Sequence, residues 1–167
     1  RERLISVPSK ATRDASGLHL PPPGGKIDLR GVVLDDATLS CDLAPRSSNA
    51  GRYTATLRAR EVGRNWVGLR IRREGSDAVG SLVVCENGDE RTIGEGATPK
   101  TVSPDRFALV LRGRSAHALC NGVPFLSSER CPLPVRGTGS VLVETADQPV
   151  RIGAARMAPT LESASIE

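Results

Sequence analysis

Residues 53–60 read "YTATLRAR", and residues 66–73 read "WVGLRIRR". In the first piece Tyr53, Ala55, Leu57 and Ala59 fall on one side of an extended chain, with Thr54, Thr56, Arg58 and Arg60 on the other. In the second the apolar side is Val67, Leu69 and Ile71, which leaves Trp66, Arg70 and Arg72 facing outward. A period of two marks a strand with one buried face, because successive side chains of an extended chain point to opposite sides.

The same alternation appears in "ATLSCDL", where Ala37, Leu39, Cys41 and Leu43 share a face, and in "RFALVLRGR", where Phe107, Leu109 and Leu111 do. "SLVVCE" is apolar throughout its centre, as a strand covered on both sides is. "GSVLVET" and "VRIGAARM" close the series. Two Asn-Gly pairs, Asn87-Gly88 and Asn121-Gly122, mark hairpins, since a type I′ turn needs positive φ at both central residues. Near the start, "RLISV" and "GLHL" are short strand-like pieces ended by "PPPGG", which cannot sit in a central strand. No segment carries a sustained 3.6-residue apolar period. The pattern predicts an all-β chain, an antiparallel sandwich or jelly roll.

The chain has 167 residues, the length of one domain. The expected organisation is a single sandwich over 1–160. Within it, 1–26 is an N-terminal strand-and-turn segment and 27–158 the sandwich core, and 161–167 form a flexible tail. The chain starts at Arg1, which reads as a mature product or an excised domain. Apolar residues make up 38% and aromatics 2%, so the core must be aliphatic. The net charge of +4 comes almost wholly from arginine. No apolar run reaches the length of a membrane span.

There are four cysteines, Cys41, Cys85, Cys120 and Cys131, and none forms a C-x-x-C pair. With only His19 and His117 to help, zinc ligation is not expected. The simplest pairing is Cys120 with Cys131 across the second Asn-Gly hairpin, a loop closure worth roughly 3 kcal/mol. Such a bridge implies an oxidising compartment, extracellular or in the cell envelope. Cys41 and Cys85 are then either paired or buried as thiols.

The segments "FALVLRGRSAHALCNGVPFLSS" and "GTGSVLVETADQPVRIGAARM" resemble the C-terminal half of concanavalin A-like jelly rolls. The likeness is to lectin-like and laminin-G-like modules and to a domain assigned to keto-disaccharide hydrolases. It rests on Leu119-Cys120-Asn121-Gly122, Gly137-Thr138-Gly139-Ser140-Val141 and Val150-Arg151-Ile152, and spans roughly residues 27–158. The resemblance implies two apposed antiparallel sheets with first and last strands close together. It also implies a glycan or protein ligand, and in some members glycosidic cleavage.

Catalysis finds little support in the residues. Glycoside hydrolysis needs two carboxylates across the bond, and the Glu-x-Asp-x-x-Glu spacing of many hydrolases with this fold is absent. Glu86, Asp89 and Glu90 surround the Asn87-Gly88 turn and read as a solvated hairpin tip, with calcium the minor alternative. Glu144 and Asp147 read as loop acids. There is no nucleophile elbow and no nucleotide or dinucleotide fingerprint, so no cofactor is expected. Nucleic acid is not expected either, since no stacking aromatics accompany the arginines.

The candidate ligand surface is therefore Trp66 together with Arg58, Arg60, Arg70, Arg72, Arg112 and Arg114. If their strands are neighbours, these six guanidinium groups form one positive field, which needs interleaved carboxylates or an anionic partner. The leading expectation is a non-catalytic, lectin-like domain binding a glycan or glycoconjugate, an acidic one if that field exists. The alternatives are a structural or protein-interaction accessory domain of a larger envelope enzyme, and a hydrolase whose site is not recognisable.

Overall fold

The computed structural model describes residues 5–6, 11–14, 17–22, 24–45, 51–99 and 105–160. The tail at 161–167 lies outside them. Fourteen strands and no helix occur among the described residues. They are β1 (Ile5–Ser6), β2 (Thr12–Asp14), β3 (Gly17–Leu20), β4 (Gly25–Leu34), β5 (Ala37–Pro45), β6 (Arg52–Val62) and β7 (Asn65–Glu74). There follow β8 (Asp77–Glu86), β9 (Asp89–Ala97), β10 (Asp105–Arg112), β11 (Ser115–Cys120), β12 (Val123–Ser128), β13 (Gly137–Ala146) and β14 (Val150–Pro159).

They form two antiparallel seven-stranded sheets. Sheet A runs β1-β4-β13-β6-β7-β8-β9 and sheet B runs β12-β11-β10-β5-β14-β3-β2. One apolar cluster joins the two, with Leu57, Leu69 and Val141 from sheet A and Leu39, Phe107 and Leu109 from sheet B. The expected β-sandwich is what the chain forms. Tyr53, Ala55, Leu57 and Ala59 are buried, as their alternation requires. The N-terminal "GLHL" and the final strand are neighbours, with Leu20 opposite Val150.

Both Asn-Gly hairpins form. Asn87 and Gly88 sit at φ 55° and 86°, and Asn121 and Gly122 at 51° and 80°, the doubly positive pair of a type I′ turn. The "SLVVCE" strand is buried from Ser81 to Cys85 and covered on both faces, with Glu86 exposed at its end.

Two expectations fail. The first is the Cys120–Cys131 bridge: all four cysteines are free thiols, and all are buried. Cys120 ends β11, opposite Phe107. After the Asn121-Gly122 turn, β12 runs back along the whole of β11. Cys131 is thereby carried to the far end, where its amide donates to the carbonyl of Arg114 at 3.2 Å. The six residues of β11 separate the two thiols by roughly 20 Å, against the ~7 Å limit for Cα atoms of a disulfide. With the bridge goes the cysteine argument for an oxidising compartment.

The second failure is Arg60. Alternation assigns it to the outer face beside Arg58, yet it is 1% exposed. The register between β6 and β7 shifts after Ala59, and Arg60 takes φ 50°. This is a bulge. It turns the Arg60 side chain away from Arg58, so that Nε donates to the Asp35 carbonyl at 2.6 Å. One terminal nitrogen reaches Asp36 Oδ1 at 3.2 Å and the Gly113 carbonyl at 2.8 Å. Beyond the bulge Thr138 faces Glu61 while Ser140 faces Arg58. Glu61 therefore takes the place on the outer face expected for Arg60, and a guanidinium is exchanged for a carboxylate.

Candidate functional site

A row of charged side chains lies on the face of sheet A turned away from the core. Strand register sets their places. Ser140 of β13, Arg58 of β6, Gly68 of β7 and Val83 of β8 lie in one row across the sheet. Leu142, Thr56, Arg70 and Ser81 form the next. Trp66 lies one step beyond Gly68 on the same face, opposite Cys85, which is itself opposite Glu90 of β9.

Trp66 points outward, as its alternation predicts, but it is not an open stacking platform. It is 5% exposed and packs with Val83 and Cys85 in a small apolar cluster separate from the main core. The indole covers Gly68: a Cβ there would stand 2.8 Å from a ring atom. The Arg58 guanidinium carbon sits 4.4 Å from the ring centroid and that of Arg70 5.9 Å. The electron-rich face attracts both cations and holds their planes near the sheet.

Carboxylates alternate with these cations. Arg70 forks onto Glu90 at 2.9 and 3.1 Å and contacts Glu144 at 3.4 Å. Its Nε lies 3.4 Å from Thr56 Oγ1. Glu90, hydrogen-bonded by Arg70, titrates below the usual carboxylate range, and Arg70 is held more firmly protonated by the same bonds. On the other side, Glu61 Oε2 lies 3.6 Å from Arg58 and 3.2 Å from Lys26, and Lys26 is 3.4 Å from Asp28. Arg72 pairs with Glu95 at 3.6 Å at the rim, both more than half exposed. The row thus reads Asp28, Lys26, Glu61, Arg58, Trp66, Arg70, then Glu90 and Glu144.

Two polar atoms in this row have no partner. Arg58 Nε and Ser140 Oγ are both buried and unbonded, and their residues are opposite each other in the ladder. Buried polar groups are ordinarily satisfied, and both atoms lie beneath the surface, out of reach of a ligand, so they belong to the packing under the charged row.

Of the sequence candidates, Trp66, Arg58 and Arg70 come together and Arg72 lies at their edge. Arg60 leaves the face through its bulge. Arg112 ends β10 and Arg114 follows it in the turn to β11, so both belong to sheet B, where Arg114 Nε donates to the Cys131 carbonyl at 2.9 Å. A single field of six arginines does not exist. The strands of this face carry acids besides Glu61. Glu144, read as a loop acid, lies in β13 two residues beyond Leu142 on its face, and Glu90 lies in β9 rather than at a bare tip. For Glu144 the available signal was its place at the end of the strand-like "GSVLVET". Glu86 pairs instead with Arg91 at 3.3 Å.

No family model and no curated protein matches the chain. Solved structures do. A carbohydrate-binding module, CBM66 of Bacillus subtilis, superposes with a TM-score of 0.72 at 14% identity, covering 92% of this chain and 94% of that one. A putative glycosyl hydrolase of Parabacteroides distasonis gives 0.61 at 9% identity, covering 95% and 94%. The galectin LEC-6 of Caenorhabditis elegans gives 0.52 at 14% identity, covering 93% and 96%. At these identities the likeness is one of fold: the chain is an antiparallel β-sandwich of the jelly-roll kind.

Proposed function

We propose that the outer face of sheet A binds a glycan without cleaving it, in a lectin-like domain acting outside the cell or in its envelope. The observation that carries this reading is the row of alternating fixed charges, Lys26, Glu61, Arg58, Arg70, Glu90 and Glu144, on that face. Sugars offer hydroxyl groups that both donate and accept. A pre-set alternation of guanidinium and carboxylate groups engages them through charge-assisted hydrogen bonds without rearranging. The carbohydrate-binding module and galectin among the structural neighbours support the reading.

The charges also favour one class of sugar. Lys26, Arg58 and Arg70 are met by Asp28, Glu61, Glu90 and Glu144, so the row has no positive excess for a polyanion. A neutral, hydroxyl-rich glycan suits it better than the acidic one anticipated from the arginines. Catalysis is disfavoured by the same contacts. A general acid for glycoside cleavage needs a raised pKa, and Arg70 pushes Glu90 the other way.

A glycan array followed by calorimetry tests this. Arg58→Gln and Glu144→Gln should each weaken binding of the best neutral hit by about tenfold, the worth of a charge-assisted bond. Affinity should stay nearly flat between low and physiological salt. An array with no neutral hit overturns the reading in favour of a structural or protein-interaction role. Release of reducing sugar would replace it with a hydrolase.

A further inference from the structure

At the edge of the same face, sheet A meets the segment that follows β12, and a separate cavity opens there. Its volume is about 340 Å³, within the range of small-molecule sites. The walls are mostly apolar, from Val62, Trp66, Val67, Pro132, Leu133 and Val135. Leu133 is 72% exposed, Val135 49% and Val62 48%, three of the five most exposed large apolar side chains described. Apolar groups gathered at the mouth of a hollow are what an apolar ligand would cover.

The polar groups of the wall are Asn65, Glu86, Arg60 and Arg136. Asn65 Oδ1 accepts from the Asn87 amide at 2.7 Å, and Glu86 is engaged by Arg91. Arg60 is neutralised by Asp36, but its second terminal nitrogen is buried without a partner. Arg136 holds one long hydrogen bond, 3.4 Å to the Val33 carbonyl, and no ion pair with a described residue. The cavity therefore has apolar walls and a guanidinium with unused donors at its rim. A guanidinium fork matches a carboxylate.

We propose that this cavity is a second binding site, taking a compact aryl or branched-aliphatic group that carries a carboxylate, with the apolar body against Leu133 and Trp66 and the carboxylate on Arg136. The site stands independently of the sugar reading, though Trp66 belongs to both. Trp66 is the only tryptophan in the chain, so its fluorescence reports occupancy directly.

The test is a titration of the protein with 3-phenylpropanoate, followed by Trp66 emission, with 3-phenylpropan-1-ol as the uncharged counterpart. The acid should saturate at concentrations on the order of millimolar, as expected for so small a ligand. The alcohol should bind about fivefold more weakly, the value of a rim ion pair. Arg136→Gln should bring the acid down to the alcohol, and Leu133→Asp should abolish both. Both side chains are exposed, so the melting temperature should not move in either variant. Glu144→Gln, which weakens the sugar, should leave the acid unaffected. The absence of saturation, or saturation untouched by Leu133→Asp, overturns the site. Equal affinity for acid and alcohol overturns its carboxylate specificity.

Discussion

Gly68 is bare because Trp66 needs the room. Its built Cβ would meet the indole at 2.8 Å and the Leu57 carbonyl oxygen at 2.8 Å. The second contact is backbone and cannot swing aside. Gly68→Ala should destabilise the fold by about 1–3 kcal/mol, the usual range for overpacking, seen as a lower urea midpoint. It should also lift the indole off the sheet, shifting Trp66 emission to the red and opening its contact with Arg58. Unchanged emission and midpoint would mean that the ring is not seated on residue 68. At this scale the sequence was partly legible. The Asn87-Gly88 and Asn121-Gly122 turns follow from local backbone chemistry. The outward aim of Trp66 follows from period two. Its near-complete cover does not, because that cover is supplied by Val83, Cys85 and the arginine side chains on neighbouring strands.

The bulge in β6 is an element-scale device with a remote cause. A Cβ at Gly137 would come within 2.4–2.7 Å of the backbone of Arg60 and Glu61. Only a glycine on β13 lets the bulged strand approach so closely. Nothing between Tyr53 and Val62 reveals this, so alternation carried one residue too far and placed Arg60 on the wrong face. Gly137→Ala should force β6 and β13 apart, loosen the Arg60 hydrogen bonds to Asp35, Asp36 and Gly113, and lower stability by about 3 kcal/mol or more, as loss of a buried charge's partners does. Gly94→Ala is the control, since its nearest neighbour is the mobile end of Leu126 at 3.3 Å; it should remain close to the parent in the same urea titration. Equal effects from the two substitutions would refute the role given to Gly137.

Over the whole molecule, sequence neighbours pair where the chain meanders, as in β6-β7-β8-β9 and β10-β11-β12. The crossings do not follow that rule. β13 inserts between β4 and β6, and β5 lies between β10 and β14. Those long-range pairings decide which sheet owns each arginine, which is why Arg112 and Arg114 were grouped with strands of the other sheet. They also scatter the four thiols. Cys41 and Cys120 lie in sheet B, Cys85 lies on the outer face of sheet A, and Cys131 follows β12. Burial raises the titration point of Cys41 and Cys131, the latter against the pull of Arg60, Arg91 and Arg114, so little thiolate is present to react. Cys85 adds a bond from its sulfur to the Arg64 carbonyl at 3.3 Å. If the two sheets part in one cooperative step, all four cysteines should resist alkylation in the native protein. They should then become reactive together in denaturant, at the midpoint where Trp66 emission shifts. Mass spectrometry of the labelled protein along a urea series measures this. A peptide linking Cys120 to Cys131, or labelling of the sheet B cysteines well before Cys85, would show that the sandwich does not open as one unit from a fully reduced state.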